Sequence, residues 1–210
     1  MRSAIAISVV VAAAAAGMVL ASARRGDTRG PAAPGLRANL LPDAVDGSPA
    51  PTIRLRDARG WRVDTTRLDG RPFLVTFLYT HCTDVCPVIG FEIADALRRL
   101  GARAHRVAAL GVSVDPRGDT PAAARRWVAD HRLPTAFRYA LGSAGQLRPI
   151  WRDWFVVPRD GTLADPRAHD ASVWLVDARG RLRGRWSGAE PIAPEDIAHD
   201  LGVLLDEAHG

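Results

Sequence analysis

PFLVTFLYTHCTDVCP, residues 72–87, is the stretch on which the fold turns. Its first half, Pro72 to Leu78, is a nearly continuous apolar run, which is what a central strand covered on both faces requires. Its second half breaks into polar residues, places the chain's two cysteines four positions apart, and ends on Pro87. A helix is predicted from Pro87 to Leu100, since Pro supplies a preset φ at a helix start, Ile89, Ile93, Ala96, Leu97 and Leu100 recur on one face, and Gly101 stops it.

Outward from this core the pattern alternates. Val107 to Val114 reads as the next buried strand. Thr120 and Pro121 read as N-cap and first residue of a helix that carries Trp127 and Val128 and stops near His131. Phe137 to Ala140 reads as a short strand or loop, and Gly145 to Phe155 as a helix whose stripe of Leu147, Ile150, Trp151 and Trp154 is core. The tetrapeptide Asp-Ala-Arg-Gly occurs at 57–60 and again at 177–180. Each copy is predicted to turn one strand back on another: Ile53–Leu55 with Trp61–Val63, and Ala171–Val176 with Leu182–Trp186. Pro194 to Glu207 closes the chain as an amphipathic helix. Strands alternating with helices, followed by an antiparallel hairpin and a last helix, give an α/β class with a thioredoxin order and a mixed central sheet flanked by helices.

The chain of 210 residues has room for one such domain, placed at 48–210, and an extension. Ser3 to Ala23 carries no charge and is followed by Arg24 and Arg25. It is long enough to cross a bilayer core and ends in the small-x-small pattern Ala21-Ser22-Ala23, so a transmembrane anchor and a cleaved signal peptide both fit residues 1–23. Residues 24–47, extending to about Pro51, are rich in Gly, Pro, Ala and Arg and read as a flexible linker. Arg24, Arg25 and Arg29 outnumber Arg2, which by a strict positive-inside count would leave the domain in the cytoplasm. The single apolar segment, the cleavage pattern and the folded domain behind it point instead to an extracytoplasmic, periplasmic side. The net charge is +5 and all 28 basic side chains of the Lys and Arg class are Arg. They are spread among acids, which argues against a nucleic-acid partner.

Cys82 and Cys86 stand where a strand gives way to a helix. Helix N-terminal amides favour anions, so a cysteine there gains thiolate character, which metal ligation and disulfide exchange both need. The pair alone fits a redox dithiol, a metal chelate or a structural disulfide. A disulfide over so short a loop restricts the unfolded chain little, and three intervening residues leave room for both sulfurs to face one soft ion.

Tyr79-Thr80-x-Cys82-x-Asp84-Val85-Cys86-Pro87 resembles the signature of the SCO/SenC family at the same strand-to-helix junction. The resemblance runs on through Gly70-x-Pro72, Ser113-Val114-Asp115-Pro116, Asp119-Thr120-Pro121, and His169 eight residues ahead of Asp177. It implies a thioredoxin-like fold that binds one copper ion through Cys82, Cys86 and His169 and serves the copper centre of cytochrome c oxidase. The implied partner is the copper-containing oxidase subunit or another copper protein, with membrane contact through the N-terminal segment. Asp84, Asp115 and His81 fall near the implied site. His81 and Thr83 depart from the family pattern, and His81 offers a competing imidazole. The alternatives are an exported thiol-disulfide oxidoreductase using Cys82 and Cys86 as a redox dithiol, and a redox or copper sensor.

Overall fold

The computed structural model describes residues 35–39, 41–42, 45–156, 171–188 and 191–208. The segment read as signal or anchor, and His169, lie outside the described residues. Among the described residues no helix is long and apolar enough to cross a membrane.

Seven strands, β1 (Arg54–Asp57), β2 (Arg62–Asp64), β3 (Phe73–Leu78), β4 (Ala108–Ser113), β5 (Phe137–Leu141), β6 (Ser172–Val176) and β7 (Leu182–Ser187), form one sheet in the order β2-β1-β5-β4-β3-β6-β7. β3, β4 and β5 are parallel neighbours, and the remaining pairings are antiparallel. Parallel neighbours need long crossovers. Helices α1 (Val85–Arg99) and α2 (Pro121–Asp130) lie within these two connections, α3 (Ala144–Asp153) follows β5, and α4 (Pro194–Glu207) ends the fold. The sheet is mixed and helix-flanked, as the alternating pattern predicted, and Phe137 to Leu141 resolves as a strand.

All six residues of β3 and all six of β4 are buried. Each large apolar side chain so buried contributes roughly 1.5–3 kcal/mol relative to exposure, an upper bound because the unfolded chain already hides part of that surface. The two Asp-Ala-Arg-Gly copies fold alike. Asp57 accepts the backbone N–H of Arg59 and Trp61, both at 2.9 Å, and Asp177 does the same for Arg179 and Arg181, also at 2.9 Å. Gly60 and Gly180 take φ of 84° and 74°, where a side chain would be strained.

Part of the stretch read as a linker is packed. Ala38 and Leu41 are buried, Leu36 leans on the core, and Asn39 bridges Arg185 on β7. The Asp200 carboxylate of α4, itself buried, accepts the N–H groups of Arg37 and Ala38 at 2.8–2.9 Å. Further on, Pro49 bridges Arg181. These contacts cover the β7 edge, whose unpaired groups would otherwise face solvent. The linker reading fails for these residues because the groups that hold them are about 150 positions away, where no local pattern reveals them.

Candidate metal and thiol site

β3 delivers the chain to Leu78, and a tight turn follows in which the Cys82 N–H donates to the Tyr79 carbonyl at 3.3 Å. Asp84 then caps α1, its carboxylate accepting the Val85 N–H. The helix thus begins two residues before the predicted Pro87, because an N-terminal Asp cap is available earlier. Cys86 falls in the first turn with no exposure, and Cys82 sits just ahead of the cap at 6%. Both are free thiols.

The Cys86 N–H points at the Cys82 sulfur at 3.3 Å, and Cys82 Sγ lies 3.2 Å from Asp84 Oδ1. The bond from the Cys86 thiol, aided by the backbone amides of Asp84 and Cys86, overcomes burial and the Cys82 thiol's own bond to the Asp84 carboxylate, and brings the Cys82 pKa down to about 6. The same thiol bond, with burial, pushes Cys86 far up. Burial, then the charge on Cys82, raises the Tyr79 phenol. The pair is asymmetric: one thiolate held against helix amides, and one thiol that keeps its proton.

A second loop supports the first. Asp119 is buried, and its Oδ1 accepts the Thr80 N–H at 2.7 Å while Oδ2 accepts the hydroxyls of Ser113 (2.6 Å) and Tyr139 (3.1 Å). Burial raises its pKa, more than these donors lower it. The sequence reading missed Asp119 as a site residue; an acid directly before the helix cap Thr120 was the available signal. Asp115 Oδ1 accepts the N–H of Gly118 (2.9 Å) and Arg117 (3.2 Å), shaping the same loop. His81 bonds Thr80 Oγ1 through Nδ1 at 3.2 Å. A Cβ on Gly118 would stand 2.2 Å from Asp115 Oδ2 and 3.2 Å from His81 Nδ1, so those two side chains converge on a position only glycine fits. Trp151 donates Nε1–H to the Ser113 carbonyl at 2.9 Å, which ties the predicted tryptophan stripe to the end of β4.

Cys82 therefore contacts both Cys86 and Asp84, and His81 and Asp115 both flank Gly118 in the neighbouring loop. No group of three His, Cys, Asp or Glu side chains poised to hold a metal occurs among the described residues. β6 is antiparallel to β3 with Val173 opposite Thr76, so the chain enters β6 at the end of β3 from which the cysteine loop leaves.

Residues 50–206 match the SCO1/SenC family model. A SCO1 protein homolog of Bacillus subtilis is 24% identical over 145 residues, covering 68% of this chain and 75% of that protein. Protein SenC of Rhodobacter capsulatus is 28% identical over 142 residues, covering 65% and 61%. Among solved structures, Bradyrhizobium japonicum ScoI with copper bound superposes with a TM-score of 0.63 at 30% identity, covering 75% of this chain and 99% of that one. Apo Sco1 of Thermus thermophilus gives 0.67 at 25%, covering 82% and 99%.

Proposed function

Because this chain belongs to the SCO1/SenC family, we propose that it is a copper-binding metallochaperone that holds one copper ion on Cys82, Cys86 and His169 and serves the copper centre of cytochrome c oxidase. The observation that carries the reading is the contact of the two free cysteines at the head of α1, with Cys82 poised as a thiolate. Thiolate sulfur suits copper(I), and an imidazole completes a low-coordinate soft site. The copper-bound Bradyrhizobium relative supports the choice of metal. Copper is cargo here. Cys86 is inside the helix turn and Cys82 at its rim, so a partner's ligand would meet Cys82 first and take the ion by stepwise exchange. The domain would then work on the extracytoplasmic side, with residues 1–23 as signal or anchor and a copper-containing oxidase subunit as partner.

The asymmetric thiol pair favours a second reading, reduction of a partner's copper-ligand disulfide. The Cys82 thiolate attacks one sulfur of that disulfide and the other leaves as a thiolate. The Cys86 thiol then gives up its proton and attacks Cys82, so that the partner departs with both thiols and the domain keeps the disulfide.

Reduced full-length protein exposed to copper(I) and passed through gel filtration is expected to retain about one copper per chain. Retention of none would overturn the chaperone reading and leave the reductase. A dithiol too oxidising to reduce a partner would remove the reductase.

A further inference from the structure

At the opposite end of the sheet the three parallel strands begin, and their first residues, Phe73, Ala108 and Phe137, sit near a cavity of about 480 Å³. Its rim carries Arg62, Arg67, Arg71, Arg138 and His105 against a single acid, Asp64. That acid is already engaged: Oδ1 accepts the N–H and hydroxyl of Thr66, and Arg54 lies 3.5 Å from Oδ2. Arg138 pairs with Asp57 at 2.9 Å and lies over the Trp61 ring. Arg62, Arg67 and Arg71 have no ion pair among the described residues; Arg71 spends only Nε, on the Leu68 carbonyl. His105 uses Nδ1 on the Ala102 carbonyl at 2.6 Å, which leaves Nε2 unspent. The floor is apolar, built from Val63, Val107, Ala108 and Leu110.

Three guanidinium groups without a close ion pair share this concave site with one carboxylate, Asp64, which already feels both Arg54 and Arg62, so positive charge is in excess there. Each fork matches two oxygens of a tetrahedral oxyanion, so a phosphate can use several forks at once where one carboxylate fills only one. An apolar floor of this size holds the organic part of a ligand, as in small-molecule sites of 300–1,000 Å³. We propose that this pocket binds a phosphate ester, its phosphate on Arg62, Arg67 and Arg71 and its organic group on the apolar floor. The ester comes either from a free phosphorylated small molecule or from a phospholipid headgroup. Six-residue strands at about 3.3 Å per residue put the pocket roughly 20 Å from the cysteine end, so the two sites work without contact.

The test is calorimetric titration of the full chain in neutral detergent with phenyl phosphate and, separately, with the water-soluble dihexanoyl-phosphatidylglycerol. One or both are expected to bind at one site with Kd below about 1 mM, and the tighter of the two identifies the source. Arg67→Glu with Arg71→Glu is expected to weaken binding at least about tenfold, since each lost charged hydrogen bond carries about that factor. Arg126→Glu with Arg148→Glu, which makes the same charge change on α2 and α3, should leave it unchanged. If the first pair fails to fold, Arg62→Gln gives the same reading. Absence of binding by both probes, or equal losses in the pocket and control variants, overturns the proposal. Copper retention by the same reduced variants is expected to stay at the wild-type value, so failure here is separable from failure of the metallochaperone reading.

Discussion

The Asp119 carboxylate accepts the Thr80 backbone N–H at 2.7 Å and thereby ties the residue two positions ahead of Cys82 to the loop after β4. The Thr80 side chain and the hydroxyls of Ser113 and Tyr139 also bond it, so one buried acid joins the turn after β3 to β4 and β5.

Asp119→Ala leaves a buried amide and two hydroxyls without their acceptor, and is expected to cost about 2–4 kcal/mol. Asp119→Asn keeps the oxygen facing Thr80, and the hydroxyls can turn to accept from the amide, so about 1 kcal/mol is expected. Urea unfolding separates the two. Because burial raises the folded pKa, the native state holds the proton more tightly than the unfolded chain. This group's penalty is therefore absent below the unfolded carboxylate range and grows as pH rises through the raised folded value. Wild type should gain on Asp119→Asn as the solution is acidified; a pH-independent difference would show that the acid does not titrate as described.

The reduced, metal-free protein is expected to show one thiolate absorbance step with a midpoint near 6, from Cys82, and no second step before strongly alkaline pH. Cys82→Ser should abolish it. Since the folded pKa is depressed, the native state is favoured by the thiolate above the unfolded thiol pKa, and this support is lost as pH falls through about 6. A single step in the ordinary thiol range would remove both the Cys86 thiol bond and the helix amides from the explanation.

His169→Ala is expected to weaken copper(I) retention at least about tenfold in competition with a chelator, the loss of one charge-neutral ligand being worth more than 1.4 kcal/mol. The Cys82 to Cys86 disulfide should still form, since imidazole takes no part in sulfur exchange. Unchanged affinity would exclude His169 as a ligand and move attention to His81, which lies beside Gly118.

Gly90→Ala tests the packing of α1. The added Cβ would stand 2.8 Å from Trp127 Cη2 and 3.0 Å from His131 Cδ2, in a stack whose ring centroids are 4.0 Å apart. Overpacking of about 1–3 kcal/mol set against a helix-propensity gain of about 1 kcal/mol leaves an expected net loss of up to about 2 kcal/mol in thermal unfolding. A stabilised variant would mean that the stack shifts freely.

A reporter active only after export, fused behind Gly210, is expected to be active, given the uncharged run from Ser3 to Ala23. Activity of a cytoplasmic reporter alone would reverse the orientation and make delivery to an exported copper centre untenable.

The strands, helices and both Asp-Ala-Arg-Gly turns were legible because each rests on local periodicity or on a carboxylate bonding its own backbone within four residues. The cysteine pair was legible from its place at a strand-to-helix junction. Asp119 was not, since its partner Thr80 is 39 positions away. The start of α1 was set two residues late because Pro87 was favoured over Asp84 as the opening signal. Leu36, Ala38 and Leu41 were lost among Gly and Pro, and only the distant α4 and β7 give them a place. The reading of His169 came from family resemblance alone, and no pattern around it would have chosen it.

The grip of Asp200 on the Arg37 and Ala38 amides spans more than 160 positions and joins the first described segment to the last helix. A chain that emerges from its N-terminus presents residues 37–38 more than 160 positions before their clamp. The leading segment must stay unclamped until α4 has been made or translocated, so this clamp closes late in the folding of the domain. A product stopped short of α4 would leave the β7 edge without its fixed cover, which makes such a fragment a target for proteolysis and strand-to-strand association.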